Sequence, residues 1–156
     1  MTSSPFVFDN ARLRQFYEYW LGKGRNGRLP GRQDIDPVQI PELLPWMILV
    51  DPVPADSRVR FRIRLVGTGI VARAGRDATG KWYEELFAPR DVERFTEIYA
   101  GIMASGQPHH FRSDYDIERL QGREHIRYER LLCPLATDGQ TVDMLAGVVA
   151  FIDDSA

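Results

Sequence analysis

At 156 residues the chain has the size of one ordinary domain with a single core. Its composition, 44% hydrophobic and 27% charged with a formal net charge of −2, excludes a disordered chain and offers no basic excess for nucleic acid. One cysteine, Cys133, excludes an internal disulfide and fits a reducing cytoplasm, and no run approaches the ~18 apolar residues of a membrane span.

Residues 1–16 lack a basic stretch followed by an apolar one, so no secretory signal is expected. Asp9 to Leu21 predicts an amphipathic helix. Leu13, Phe16, Tyr17, Trp20 and Leu21 fall on one stripe at helical spacing. Asp9 or Asn10 suits its start and Gly22 its end. The stripe is rich for a free terminal helix, so these residues are candidates for a homodimer interface. Residues 1–22 thus form a first unit, and residues 23–45 a Gly/Pro-rich connection. Within it, Pro37 after Asp36 predicts a short helix around Val38 to Leu44.

Residues 46–154 carry the main domain. Trp46 to Val53 predicts an apolar strand ended by Pro52 and Pro54. The turn Ala55-Asp56-Ser57 joins it to Val59 to Val66 as a hairpin. The second strand alternates: Arg60, Arg62 and Arg64 point to a wet face, Phe61, Ile63 and Leu65 to a dry one. It runs into Gly67-Thr68-Gly69-Ile70-Val71-Ala72, which spells the G-x-G-x-x-A of dinucleotide-binding turns. The first strand of that fold is covered on both faces and reads as a continuous apolar run. Arginines on one face oppose that reading, and no strand ending in an acidic residue follows about 20 residues on. The stretch therefore reads as a strand ending in a glycine turn, with nucleotide binding through Gly67-x-Gly69 kept as an alternative.

Short helices are expected over Ile70 to Ala74 and Trp82 to Leu86. A longer one begins at Pro89 and ends at Gly106, with Val92, Phe95, Ile98, Tyr99, Ile102 and Met103 on its buried stripe. Three strands follow: His110 to Ile117, Glu124 to Leu135 and Thr141 to Ile152. Thr137-Asp138-Gly139-Gln140 carries a hairpin signal between the last two. Arg119, Arg123, Arg127 and Arg130, interleaved with Glu118, Glu124 and Glu129, read as a solvated, salt-bridged sheet face. The fold class is α+β: a five-stranded antiparallel sheet covered on one face by the helices inserted between its strands.

Candidate chemistry is sparse. His109 and His110 are adjacent on a strand and face opposite ways, His125 lies on another strand, and Cys133 has no ligand spacing to any of them, so no metal site is expected. The acidic pairs Asp34/Asp36 and Glu84/Glu85 suit turn, capping and solvated-edge roles, and Ser113 has no histidine on its face. No enzyme is expected.

The order of elements resembles a PAS domain. The resemblance rests on Tyr19-Trp20, Gly27-Arg28-Leu29-Pro30, Asp34-Ile35-Asp36-Pro37 with Ile40-Pro41 and Leu44-Pro45, and Phe61-Arg62-Ile63-Arg64-Leu65-Val66-Gly67-Thr68. It continues through Gly75-Arg76-Asp77, Thr79-Gly80, Leu132-Cys133-Pro134-Leu135 and Asp138-Gly139. In these segments the chain is similar to a bacterial PAS family found mostly in alphaproteobacteria and often encoded as a stand-alone domain. The resemblance implies a cytoplasmic, non-catalytic regulatory module that binds a small molecule or a signalling partner, neither nucleic acid nor membrane. The alternative is a ligand-free protein–protein interaction module that dimerises. PAS domains that hold haem usually take its ligand from the helical segment before the sheet, and here no histidine precedes His109. Flavin-photosensing relatives carry a cysteine in a short helix after the second strand, whereas Cys133 sits on a late strand. Neither cofactor is expected, and the ligand of a sensing module would be a small molecule of unknown identity. The inner sheet face should present Phe61, Ile63, Leu65, Phe111, Ser113, Tyr115, Ile126, Tyr128 and Arg130, with Trp82 and Tyr83 on the covering helices, as an apolar pocket with a few convergent polar groups.

Overall fold

The structure, a computed structural model, describes residues 5–152, and only the backbone of residues 117–119. The expected places of the Ile117, Glu118 and Arg119 side chains, of residues 1–4 and of residues 153–154 lie outside the described residues.

Helix α1 spans Ala11–Lys23, capped by the Asn10 side chain, which accepts the Arg12 amide at 2.8 Å. It runs through Gly22 and ends at Gly24, later than expected. The connection that follows holds single 3-10 turns at Arg32–Asp34, Pro37–Gln39 and Leu44–Trp46 in place of a helix over residues 38–44. Pro37 opens the middle turn as read, but Pro41 and Pro45 lack the amide hydrogens that would carry it on. Then come strands β1 (Met47–Ala55) and β2 (Arg58–Val66), helices α2 (Thr68–Ala74), α3 (Tyr83–Leu86) and α4 (Pro89–Ser105), and strands β3 (His109–Arg119), β4 (Gly122–Leu135) and β5 (Met144–Phe151). Pro89 sits in the first turn of α4, and Gly106, at φ +68°, ends it with its amide on Ile102.

The strands form one sheet in the order β2-β1-β5-β4-β3, every neighbouring pair antiparallel. β1 runs through Pro52 and Pro54, past the expected stop. β5 pairs only with Met47 to Val50, so both prolines fall where β1 is paired on one side only and an amide can be missing.

The inserted helices cover one face of the sheet, as expected, and α1 with the connection covers the other. On the inner face, α3 and α4 pack Tyr83, Phe95, Tyr99 and Ile102 against Val50, Phe61, Ile63, Leu132 and Leu145. On the outer face, α1 and the connection pack Leu13, Phe16, Tyr17, Trp20, Ile35, Ile40 and Leu43 against Met47, Leu49, Leu131, Cys133, Ala146 and Val148. The helix stripe thus belongs to the core of its own chain. Leu13, Phe16, Tyr17 and Trp20 are buried there, and the Trp20 indole donates to the Pro134 carbonyl at 2.8 Å. Leu21 is 50% exposed.

A β-bulge decides the fate of Leu65. Leu49 opposes Leu65 and Val50 opposes Ile63, which leaves Arg64 as an extra residue. The alternation reverses there, so Leu65 leaves the face of Phe61 and Ile63 and is 44% exposed, against the expectation that it is buried under the helices. The charge pattern of β4 also differs from a solvated face. Glu129 and Arg130 are both buried, because α1 covers one side of β4 and α4 the other.

Candidate ligand cavity on the inner sheet face

β4 sends Tyr128 and Arg130 to the inner face, where β3 opposes them with Ser113 and Phe111. The Arg130 guanidinium stacks on the Phe111 ring, its carbon 4.0 Å from the centroid. Its Nη1 donates to the Tyr99 hydroxyl at 2.9 Å, and that hydroxyl lies 2.8 Å from the Tyr83 hydroxyl. Tyr83, Phe87, Phe95 and Tyr99 build the roof, edge to face or tilted, with Tyr83 and Phe95 centroids 5.6 Å apart.

Burial pushes the Tyr83 hydroxyl well above the usual phenol value and Tyr99 upward as well, although Arg130 opposes the shift at both. Both are therefore neutral phenols at ordinary pH and give Arg130 no counter-charge. Arg130 is 5% exposed, and its Nε and Nη2 are buried without a hydrogen-bond partner.

These groups border a cavity of about 140 Å³. Its walls include Ile48, Ile63, Val66, Ile70, Leu86, Phe87, Tyr115, Tyr128, Val149 and Phe151, with Arg76 exposed at its rim. None of the described lining residues is acidic.

Of the pocket residues expected from sequence, Ile63, Tyr83, Tyr115, Tyr128 and Arg130 line this cavity, while Ile126 is fully buried and does not. Phe61 lies behind it, edge-on to Tyr99 at 5.1 Å between centroids, and Phe111 supports Arg130 from below. Ser113 accepts from Arg94 Nη2 at 3.2 Å. Trp82 caps α3 at the sheet edge, where the Arg60 guanidinium lies 4.1 Å from its ring centroid, and it does not line the cavity. Leu65 is on the other face. Sequence reasoning placed Tyr99 on a buried stripe but missed its role. The signal was there, since a tyrosine in an apolar stripe needs a partner for its hydroxyl.

The histidines face opposite ways as read. His110 Nε2 is 2.7 Å from Glu129 on the outer face, and the His109 ring lies 5.4 Å from Phe111. Among the described residues no group of three or more His, Cys, Asp or Glu could hold a metal ion. Cys133 is buried in the outer core, which raises its thiol well above the ordinary value. The Gly67-x-Gly69 stretch serves close packing. A Cβ on Gly67 would stand 2.3 Å from the Pro45 carbonyl oxygen, and one on Gly69 2.9 Å from the Trp46 ring. Among the described helices none is long and apolar enough to cross a membrane.

A five-stranded antiparallel sheet in this strand order, with helices inserted over a cavity on one face, defines the class as an α+β fold of the PAS type. The chain belongs to the PAS domain family, whose model matches residues 8–150. Its fold is similar to that of a light-oxygen-voltage domain studied with a flavin analogue, at 14% identity and a TM-score of 0.51 over 75% of this chain and 84% of that one. The d2 variant of RsLOV aligns over 92% of this chain and 69% of its own, at 14% identity and a TM-score of 0.50. The LOV protein of Rhodobacter sphaeroides aligns over the same shares at 14% identity and a TM-score of 0.48. At such identities the likeness concerns the fold alone. No curated protein matches the chain in sequence.

Proposed function

We propose that this PAS domain is a non-catalytic regulatory module, of the bacterial stand-alone type, that senses a small molecule in the inner-face cavity and signals through contact with a cytoplasmic partner protein. The observation that carries this reading is an apolar cavity with a buried cation on its wall that has unused donors. A fully packed core would have no reason to keep such a group, because a buried unpaired donor costs about 1–3 kcal/mol, more when charged. Native mass spectrometry of the purified protein tests it. The expected spectrum shows a non-covalent adduct at one molecule per chain, released on denaturation. A bare chain that no small metabolite stabilises in a thermal-shift screen would overturn it.

A second reading, a ligand-free module that forms a homodimer, draws on the outer side. There Leu44 and Leu65, 38% and 44% exposed, border an apolar groove of about 430 Å³ with Ile35, Pro37, Ile40 and Pro41. Light scattering during chromatography separates the readings, with Leu65→Ser dissociating the dimer if this second one holds.

A further inference from the structure

We infer that the inner-face cavity takes a small organic carboxylate, its carboxyl group gripped by Arg130 and its apolar tail lodged among Tyr83, Phe87, Phe95 and Tyr115. The inference rests on the cavity reading above and adds the ligand's chemical class.

Charge comes first. Arg130 is 5% exposed and carries a full positive charge, since guanidinium does not deprotonate in proteins. A buried charge is tolerated when paired, and the ion pairs formed among the described residues do not include Arg130. The nearest groups are a ring face and a neutral phenol. Glu129 is next in sequence but points to the opposite face, where the Asp9 and Asn10 amides and His110 engage it.

Geometry gives the class of anion. Tyr99 occupies Nη1, and the atoms left over are Nε and Nη2, which are closed to water as the structure stands, so a carboxylate reaches them with a small shift of the cavity wall. Their N–H bonds leave one edge of the guanidinium in parallel, the spacing that meets both oxygens of a planar carboxylate. The Phe111 face beneath and the Tyr99 contact beside it hold that edge in place.

Volume and lining give the tail. About 140 Å³ compares with the ~150 Å³ of a cavity that holds benzene. Apart from Arg76 at the rim, whose Nη2 donates to the Leu86 carbonyl at 3.3 Å, the described walls away from Arg130 are aromatic and aliphatic, so the rest of the ligand is a single ring or a short acyl chain. A phosphate or sulfate ion would satisfy the charge but leave this apolar volume unfilled.

Calorimetry on the full chain tests the inference with benzoate, phenylacetate, butyrate and hexanoate, each beside its neutral primary amide, and with inorganic phosphate. At least one carboxylate should bind tighter than its amide by about tenfold or more, the worth of a charge-assisted bidentate pair. Arg130→Met should erase that preference, carboxylate and amide then binding alike, because the charged partner is gone. Because a buried substitution can unfold the chain, wild-type NMR supplies a second readout. The Arg130 Nε–H resonance should shift on titration with the carboxylate and stay still with its amide. Amides binding as tightly as carboxylates, or phosphate binding alone, would overturn the carboxylate class and leave the cavity reading standing. If no probe binds and the chain purifies bare, both fail together.

Discussion

Glu129 and Arg130 are consecutive on β4 and both buried, at 1% and 5% exposure, yet their side chains enter opposite cores. Arg130 borders the cavity. Glu129 accepts the Asp9 and Asn10 amides, each at 3.0 Å, and lies 2.7 Å from His110 Nε2. One residue thus faces the proposed ligand while its neighbour pins the entry to α1. Glu129→Gln keeps the shape but turns one acceptor into a donor that meets a backbone N–H. The expected cost is about 2–3 kcal/mol in urea unfolding, the range for breaking a buried charged hydrogen-bond set. Amide exchange should quicken over residues 9–23 more than over α4. Equal quickening in both helices would mean that Glu129 serves general stability and is no specific latch on α1.

Trp20→Ala separates docking of α1 on its own sheet from docking on a second copy. The indole is 6% exposed, packed in the outer core, and hydrogen bonded to Pro134. Truncation should cost about 3–5 kcal/mol, as for a core tryptophan. The unfolding midpoint should not depend on protein concentration, because the lost contacts lie within one chain. A midpoint that rises with concentration in the wild type, and loses that dependence in the variant, would place the stripe between chains.

Much of this fold was legible because period and punctuation agree locally. Pro89 and Gly106 bracket α4, and the wet face of Arg60 and Arg62 opposes the dry face of Phe61 and Ile63. The misreadings come from non-local facts. Leu65 changes face because of a bulge against β1, which no alternation in β2 alone can announce. Glu129 reads as solvated until its partners, 119 and 120 residues away, arrive with α1. For the site, Ile63, Tyr115, Tyr128 and Arg130 could be found by strand parity. That Trp82 turns instead to Arg60 depends on how the loop before α3 bridges the edge of β2, where Arg62 pairs with Trp82.

Gly67 and Gly22 make opposite tests of what a glycine is for. Gly67 is extended at φ −65°, so its backbone suits any residue, but a Cβ there would strike the Leu44 and Pro45 carbonyls at 2.4 and 2.3 Å. Backbone must move to admit it. Gly67→Ala should therefore cost about 2 kcal/mol or more in thermal unfolding. Gly22 lies inside α1 with nothing within 4 Å of an added Cβ, so Gly22→Ala should gain about 0.5–1 kcal/mol from helix propensity. Should Gly67→Ala leave stability intact but abolish binding of a nucleotide probe, the phosphate-turn reading would return.

His109 supplies a pH dependence whose sign follows from its surroundings. Burial lowers its pKa from 6.5, and the charges of Arg130 and then His110 add to the effect. The folded chain thus resists protonating this ring more than the unfolded chain does. Its contribution to stability is complete above the unfolded value of 6.5 and is lost as pH falls through that value towards the lower folded one. The His109 ring resonance should titrate with a midpoint below 6.5 in the folded protein. His109→Gln should flatten the decline of urea stability as pH falls from neutrality through 6.5 towards the lower folded value. The same resonance reports on the cavity. A carboxylate seated on Arg130 cancels part of the positive charge that His109 feels, so its midpoint should move upward when the ligand binds. A midpoint that stays fixed at a saturating carboxylate concentration would show that the anion sits away from Arg130.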